Sequence, residues 1–299
     1  ALRLALVLGL LWAPWVLSAP VSLWRVQQGP STLFLLGSIH VGQPNLYPLP
    51  AVMDQAFIAA DQLVLEIDLG LTSPAAMAEA LLSRGTYPAT ENLSASLSVD
   101  TLRLLTAYLQ ARRAQPQQTD LSLPTVQRLR PWYLAMLLNL EALKALGYVP
   151  GLGIDQYYFQ KASLAGKPVY GLETLESQIA LLAAGSPSQQ DLILRSTLET
   201  NQKIAQLLAT LTGAWKAGEI DLMYKLAIAD HADYPALEDL MDEYLDQRNL
   251  QMAAKLRTYL DGDKTTLAVV GALHLGGEQG LLALLAKDYE ITQLQSSDL

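Results

Sequence analysis

The chain has 299 residues, 51% of them hydrophobic, with 20 Lys+Arg against 29 Asp+Glu and no cysteine. At ~100–200 residues per domain, this length holds one large or two modest domains with an ample core. The absent thiols exclude a disulfide scaffold, a cysteine nucleophile, an iron–sulfur cluster and a cysteine-bearing zinc site; a formal charge of −9 without a long Lys/Arg run excludes electrostatic capture of nucleic acid.

In chain order, Arg3 precedes an apolar run, Leu4–Leu17, that ends in the small residues Ser18 and Ala19. Residues 1–19 are expected to be a signal peptide cut after Ser18 or Ala19, and 20–299 the folded domain. The run is shorter than the ~20 residues of a membrane span. Membrane contact is therefore expected only if this segment stays uncleaved, and the protein is expected to be exported, periplasmic or extracellular. A strand or helix buried at the start of the domain is the alternative.

Leu23–Val26 and Thr32–Leu36, joined by Gln-Gln-Gly-Pro-Ser, predict a β-hairpin. Pro50–Asp61 predicts an amphipathic helix and Gln62–Asp68 a buried strand. From Ser73 to about Gly147, apolar residues recur at helical spacing, as in Leu102, Leu105, Tyr108 and Leu109, with turns near 86–90 and 115–124. Pro168–Leu172 predicts another strand. Helices follow over Pro187–Leu211, Glu219–Ala229 and Pro235–Leu260. Strand Thr265–Val270, helix Gly277–Lys287 and strand Glu290–Leu294 complete the chain. The expected class is α/β with some α+β character: a central sheet of N- and C-terminal strands, with a large helical insertion at roughly 73–150. No polar or Pro/Gly-rich linker divides it.

Two of the three histidines occupy matching segments. Phe34-Leu-Leu-Gly-Ser-Ile-His-Val-Gly42 and Ala268-Val-Val-Gly-Ala-Leu-His-Leu-Gly276 both read as an apolar run, Gly, a small residue, a branched aliphatic, His, a second aliphatic and Gly. With 19 glycines in 299 residues, chance is a poor account of this pair. Each run reads as a buried strand, which places His40 and His274 at the carboxyl edge of a sheet, where α/β folds put ligand sites. Glu66 closes the apolar run Leu63-Val64-Leu65 and emerges at the same edge. A carboxylate there is costly unless paired or coordinated. Two imidazoles and a carboxylate make an open divalent-metal site, with Glu66 as ligand or general base. Asp68 is a further ligand candidate, or a group that orients a histidine. A hydrogen-bonded structural role for each histidine, and an ion-pair role for Glu66, are the plainer alternatives. His231, in Ala-Asp-His-Ala-Asp-Tyr-Pro, reads as a solvated loop residue, with substrate contact the rival.

These residues resemble the TraB/GumN family, which is related to the Tiki metalloproteases and more distantly to erythromycin esterases and ChaN-like proteins. The resemblance spans nearly the whole mature chain. It rests on Gly37-Ser-Ile-His40, Glu66, Gly153-Ile-Asp155, Gly171-Leu-Glu173 with Gln178, Arg248-Asn249 and Gly271-Ala-Leu-His274. It implies that the two G-x-x-H motifs and the strand glutamate form a metal-dependent centre, with manganese or cobalt favoured and zinc possible. It also implies peptidase chemistry.

The accompanying positions keep two readings each. Asp155 is a helix N-cap or a group orienting a histidine. Glu173 is a helix-end acid or lies beside the site. Arg248 pairs with nearby surface acids or binds an oxyanion or substrate carboxylate. Tyr157, Tyr158 and Trp132 belong to the core or the cleft wall. No G-x-S-x-G elbow occurs, which disfavours an acyl-enzyme. The expected function is an exported metal-dependent hydrolase of peptides or small molecules, with His40, Glu66, His274 and Arg248 at its centre. The alternative is a non-catalytic exported protein that binds haem, a metal or a peptide.

Overall fold

A computed structural model describes residues 18–113, 122–201, 203–229 and 233–299, without the side chains of 113 and 241. Most of the apolar leader and His231 lie outside the described residues. The expected hairpin is present: β1 (Pro20–Gln28) pairs antiparallel with β2 (Ser31–Ser38), Leu23 opposite Leu36. Leu33–Leu36 are all buried, as a strand covered on both faces requires. β2 runs parallel to β5 (Thr265–Gly271), β5 to β3 (Gln62–Ile67), and β3 to β4 (Val169–Glu173). β6 (Glu290–Gln295) lies antiparallel on β1, giving the order β4-β3-β5-β2-β1-β6. Just ahead of β1, Ala19 N–H donates to Ser296 Oγ (3.2 Å) and Ser296 N–H donates to Ala19 O (2.8 Å).

The helices are α1 (Ala51–Ala59), α2 (Pro74–Gly85), α3 (Leu93–Ser96), α4 (Val99–Arg113), α5 (Leu123–Val126), α6 (Pro131–Ala145) and α7 (Ile154–Ala165). They continue as α8 (Leu175–Leu182), α9 (Pro187–Thr200), α10 (Ile204–Lys216), α11 (Ile220–Ala229), α12 (Glu238–Asp242), α13 (Arg248–Leu260) and α14 (Leu281–Leu285). Strand residues such as Leu35, Val64 and Val269 form one core with Met53 of α1, Tyr158 of α7 and Met252 of α13. The helical block builds a second core from Leu105, Leu134 and Leu138, and it draws in Leu194 and Leu198 of α9. Thus α9 packs with the block although it lies beyond 150.

Three helical expectations change in detail. The stretch 187–211 is two helices, because polar residues interrupt its apolar periodicity and Lys203 leaves helical geometry at φ −113, ψ 1. The stretch 235–260 contains a π-turn at Glu243–Gln247 between α12 and α13. Near the end, Gly277 takes φ +82, which delays the last helix until Leu281. Among the described residues, no helix is long and apolar enough to cross a membrane.

Candidate metal centre

Four parallel strands end at one edge, and their last residues supply the site. Ser38 of β2 lies beside Gly271 of β5, so the segments that follow, Ile39-His40 and Ala272-Leu273-His274, leave the sheet side by side. β3 flanks β5 on its other side and contributes Glu66; the outer β4 contributes Glu173. His40 Nε2 lies 3.6 Å from Glu66 Oε1, and His274 Nε2 lies 4.0 Å from the same oxygen.

Each histidine is oriented through its other nitrogen. His40 Nδ1 is 3.3 Å from Asp155 Oδ1, which also accepts from Ser38 Oγ at 3.0 Å. Asp155 sits in the first turn of α7, whose N-cap is Gly153, so it holds the histidine and does not cap the helix. His274 Nδ1 is 2.7 Å from Asn249 Oδ1, and Asn249 Nδ2 donates to Gln279 O at 2.9 Å. That second bond fixes the amide orientation, so His274 carries its proton on Nδ1 and presents a lone pair at Nε2.

Glu66 is held at both oxygens. Oε1 accepts from Gly271 N–H at 2.7 Å; Oε2 accepts from Arg248 Nη2 at 2.7 Å and Gln178 Nε2 at 3.0 Å. Burial opposes its ionisation, but His40, His274 and Arg248 outweigh that and hold the carboxyl at about 2. Burial pushes His274 down to about 4, leaving it neutral. Burial would also lower His40, but the hydrogen bond to Asp155 and the charge of Glu66 raise it to about 9. The His40 side chain is 58% exposed, so the two carboxylates set its direction.

The guanidinium of Arg248 is committed to carboxylates. Nε and Nη2 donate to the two oxygens of Glu173 at 2.8 and 2.6 Å, Nη2 also reaches Glu66, and Nη1 donates to Tyr244 O at 3.2 Å. Gln178 Nε2 likewise bridges Glu66 and Glu173, reaching the latter at 2.9 Å. The surface partners and the free oxyanion donor expected for Arg248 thus give way to a buried Glu66–Arg248–Glu173 cluster. Glu173 does not cap α8, whose N-cap is Thr174. The π-turn immediately precedes Arg248, letting consecutive residues serve the two sides of the site: Arg248 the carboxylates, Asn249 the histidine.

Asp68 is not brought to this cluster. Its carboxylate accepts from Gly70 N–H at 2.8 Å, turning back on its own loop. Tyr157 and Tyr158 direct their hydroxyls to Asp54, and Trp132 is buried in α6, so all three belong to packing. Gln178 and Asn249 stood in the sequence motifs without a role, and Ser38 and Gly271 had none beyond their strands. Adjacency to Arg248 was the one available signal for Asn249.

Among the described residues, no group of three or more His, Asp or Glu side chains forms a ready metal-binding cluster. Donors bound at ~2.0–2.2 Å to one tetrahedral ion stand ~3.4 Å apart; the 3.6 and 4.0 Å separations are somewhat wider. The donor chemistry nevertheless fits a divalent ion: two Nε2 atoms and a carboxylate oxygen converge, with both Nδ1 atoms already engaged. Gly271 supplies the space. A Cβ built there would fall 3.0 Å from Glu66 Oε1, 3.1 Å from His40 Nε2 and 3.5 Å from His274 Cδ2.

The site opens into a cleft of about 620 Å³. Its sheet side presents Ser38, His40, Glu66 and His274, whereas helices contribute Leu181, Leu182, Met223 and Leu245.

Comparison with known proteins places the chain in a family. Residues 22–293 match the model of the TraB/PrgY/gumN family. The chain is 32% identical over 256 residues to the uncharacterized protein YbaP of Escherichia coli (strain K12), covering 84% of this chain and 86% of YbaP. The YbaP of Shigella flexneri gives the same identity and coverage. No solved structure matches. The chain belongs to the TraB/PrgY/gumN family.

Proposed function

We propose that this protein is an exported hydrolase of peptide or amide bonds, dependent on a divalent ion held by His40, Glu66 and His274. The observation that carries the reading is the convergence of two pinned imidazoles, through Nε2, on one oxygen of Glu66. Manganese or cobalt are the favoured ions and zinc the third. Bound there, such an ion supplies Lewis-acid polarisation of a carbonyl and a water of lowered pKa.

The chain's own residues set the geometry. Asp155 and Asn249 fix the two ring planes. Arg248 and Gln178 occupy Oε2 of Glu66 and leave Oε1 facing the histidines, which supports Glu66 as a ligand over a general base. Apolar side chains of the cleft would flank a bound substrate beside the site. Export rests on the apolar run Leu4–Leu17.

The test is metal analysis of protein purified without chelator, together with turnover of a peptide library by wild type, His40→Ala and His274→Ala. One ion per chain and loss of hydrolysis in both variants are expected. Hydrolysis surviving both substitutions, or active protein without stoichiometric metal, overturns the assignment.

A further inference from the structure

The cleft is chemically two-sided. Polar groups come from the sheet edge, α13, Gln178 of α8 and Tyr244 of the π-turn, while Leu181 and Leu182 of α8, Met223 of α11 and Leu245 of the π-turn give it an apolar wall. Leu182 is 38% exposed although it lines a cavity of about 620 Å³, inside the ~300–1,000 Å³ range of small-ligand sites. Leu182 gives this wall its open apolar surface, whereas Met223 is only 5% exposed and packs in the core.

The charges in the lining are already satisfied. Arg248, its one guanidinium, is held between Glu66 and Glu173, and the imidazoles of His40 and His274 face Glu66. A charged substrate side chain placed against Leu181, Leu182 and Met223 would lose its hydration without gaining a counter-charge. Met223 is unbranched and adaptable, so this wall suits a range of bulky apolar shapes and not one residue alone.

We infer that the cleft selects peptides by a large aliphatic or aromatic side chain next to the bond presented to His40, Glu66 and His274, with Leu182 and Met223 as specificity-determining residues. This rests on the hydrolase reading for the position of the bond, but the side-chain preference is measurable without turnover.

The experiment uses the manganese-loaded mature chain and a set of fluorogenic octapeptides varied at the positions flanking the cleavable bond. Wild type is expected to prefer Leu, Met or Phe over Asp or Lys at one flanking position by about 10-fold or more, chiefly through KM. Leu182→Lys, at a partly exposed position that tolerates the change, is expected to lose that preference and improve cleavage of peptides with Asp or Glu there. Met223→Ala is expected to shift the preference toward larger aromatic groups. Binding of the same peptides to His40→Ala, read by fluorescence anisotropy, separates the two readings. Absent turnover with retained apolar preference in binding overturns the hydrolase and keeps the pocket. Turnover without apolar preference, or an unchanged profile in Leu182→Lys, overturns the pocket and keeps the hydrolase.

Discussion

Asn249 Oδ1 lies 2.7 Å from His274 Nδ1, and both side chains are buried, Asn249 completely. This contact joins the first turn of α13, the helix before the final parallel strand, to the histidine that follows that strand. It fixes which nitrogen of His274 faces Glu66.

Replacing Asn249 by Ala frees the His274 ring and strands its Nδ1 proton in the interior. We expect metal affinity to fall ~10–100-fold and stability to fall by ~1–3 kcal/mol. Calorimetric titration with Mn²⁺ and a urea melt check both values. Unchanged affinity would remove the positioning role.

Arg248 is 17% exposed between Glu66 (10%) and Glu173 (8%). Arg248→Met leaves two buried carboxylates facing each other, and a loss of ~3–5 kcal/mol is expected. Arg248→Met with Glu173→Gln should recover part of that loss, because one of the opposed charges is gone. A loss below ~1 kcal/mol for the single variant, measured by denaturant midpoint, would mean that the cluster is open to water.

Gly271 has φ −51 and ψ 132, a conformation that alanine adopts freely. Gly271→Ala therefore tests space and not strain. The protein is expected to fold with a melting temperature close to wild type, while its added Cβ, 3.0 Å from Glu66 Oε1, weakens metal binding at least ~10-fold. Wild-type affinity in this variant would place the ion elsewhere.

Metal should stabilise the fold that creates its site. At a free ion concentration ~100 times Kd, the gain is ~2.7 kcal/mol. EDTA is expected to lower the melting temperature of wild type and to leave His40→Ala and His274→Ala unmoved. An equal EDTA effect on all three would assign the stabilisation to another ion site.

Much of the sheet was legible because apolar strand runs flanked by Gly, Pro and polar residues have few other uses. The hairpin, β3, β4, β5 and β6 all stand within a few residues of their expected places. Helix boundaries were less legible. The π-turn at Glu243–Gln247 falls inside a run of continuous helical periodicity, which alone does not reveal it. The site divides in the same way. His40, Glu66 and His274 announce themselves because charged or titratable groups at the ends of buried strands need a reason. Asp68 sits at an equally suggestive position, yet its carboxylate satisfies Gly70 N–H, a local choice invisible in residue order.

In this cysteine-free, acidic chain with three histidines, residue order already shows two of them ending matching strand runs of an α/β fold. It also carries the family motifs. How they meet is settled in three dimensions: β5 inserts between β3 and β2, so residues more than two hundred positions apart share one sheet edge. The tertiary structure also decides that Arg248 joins Glu66 to Glu173 and that Asn249 holds His274. The physical reason is that apolar patterning acts locally along the chain, whereas strand order and hydrogen-bond partners are settled by long-range packing.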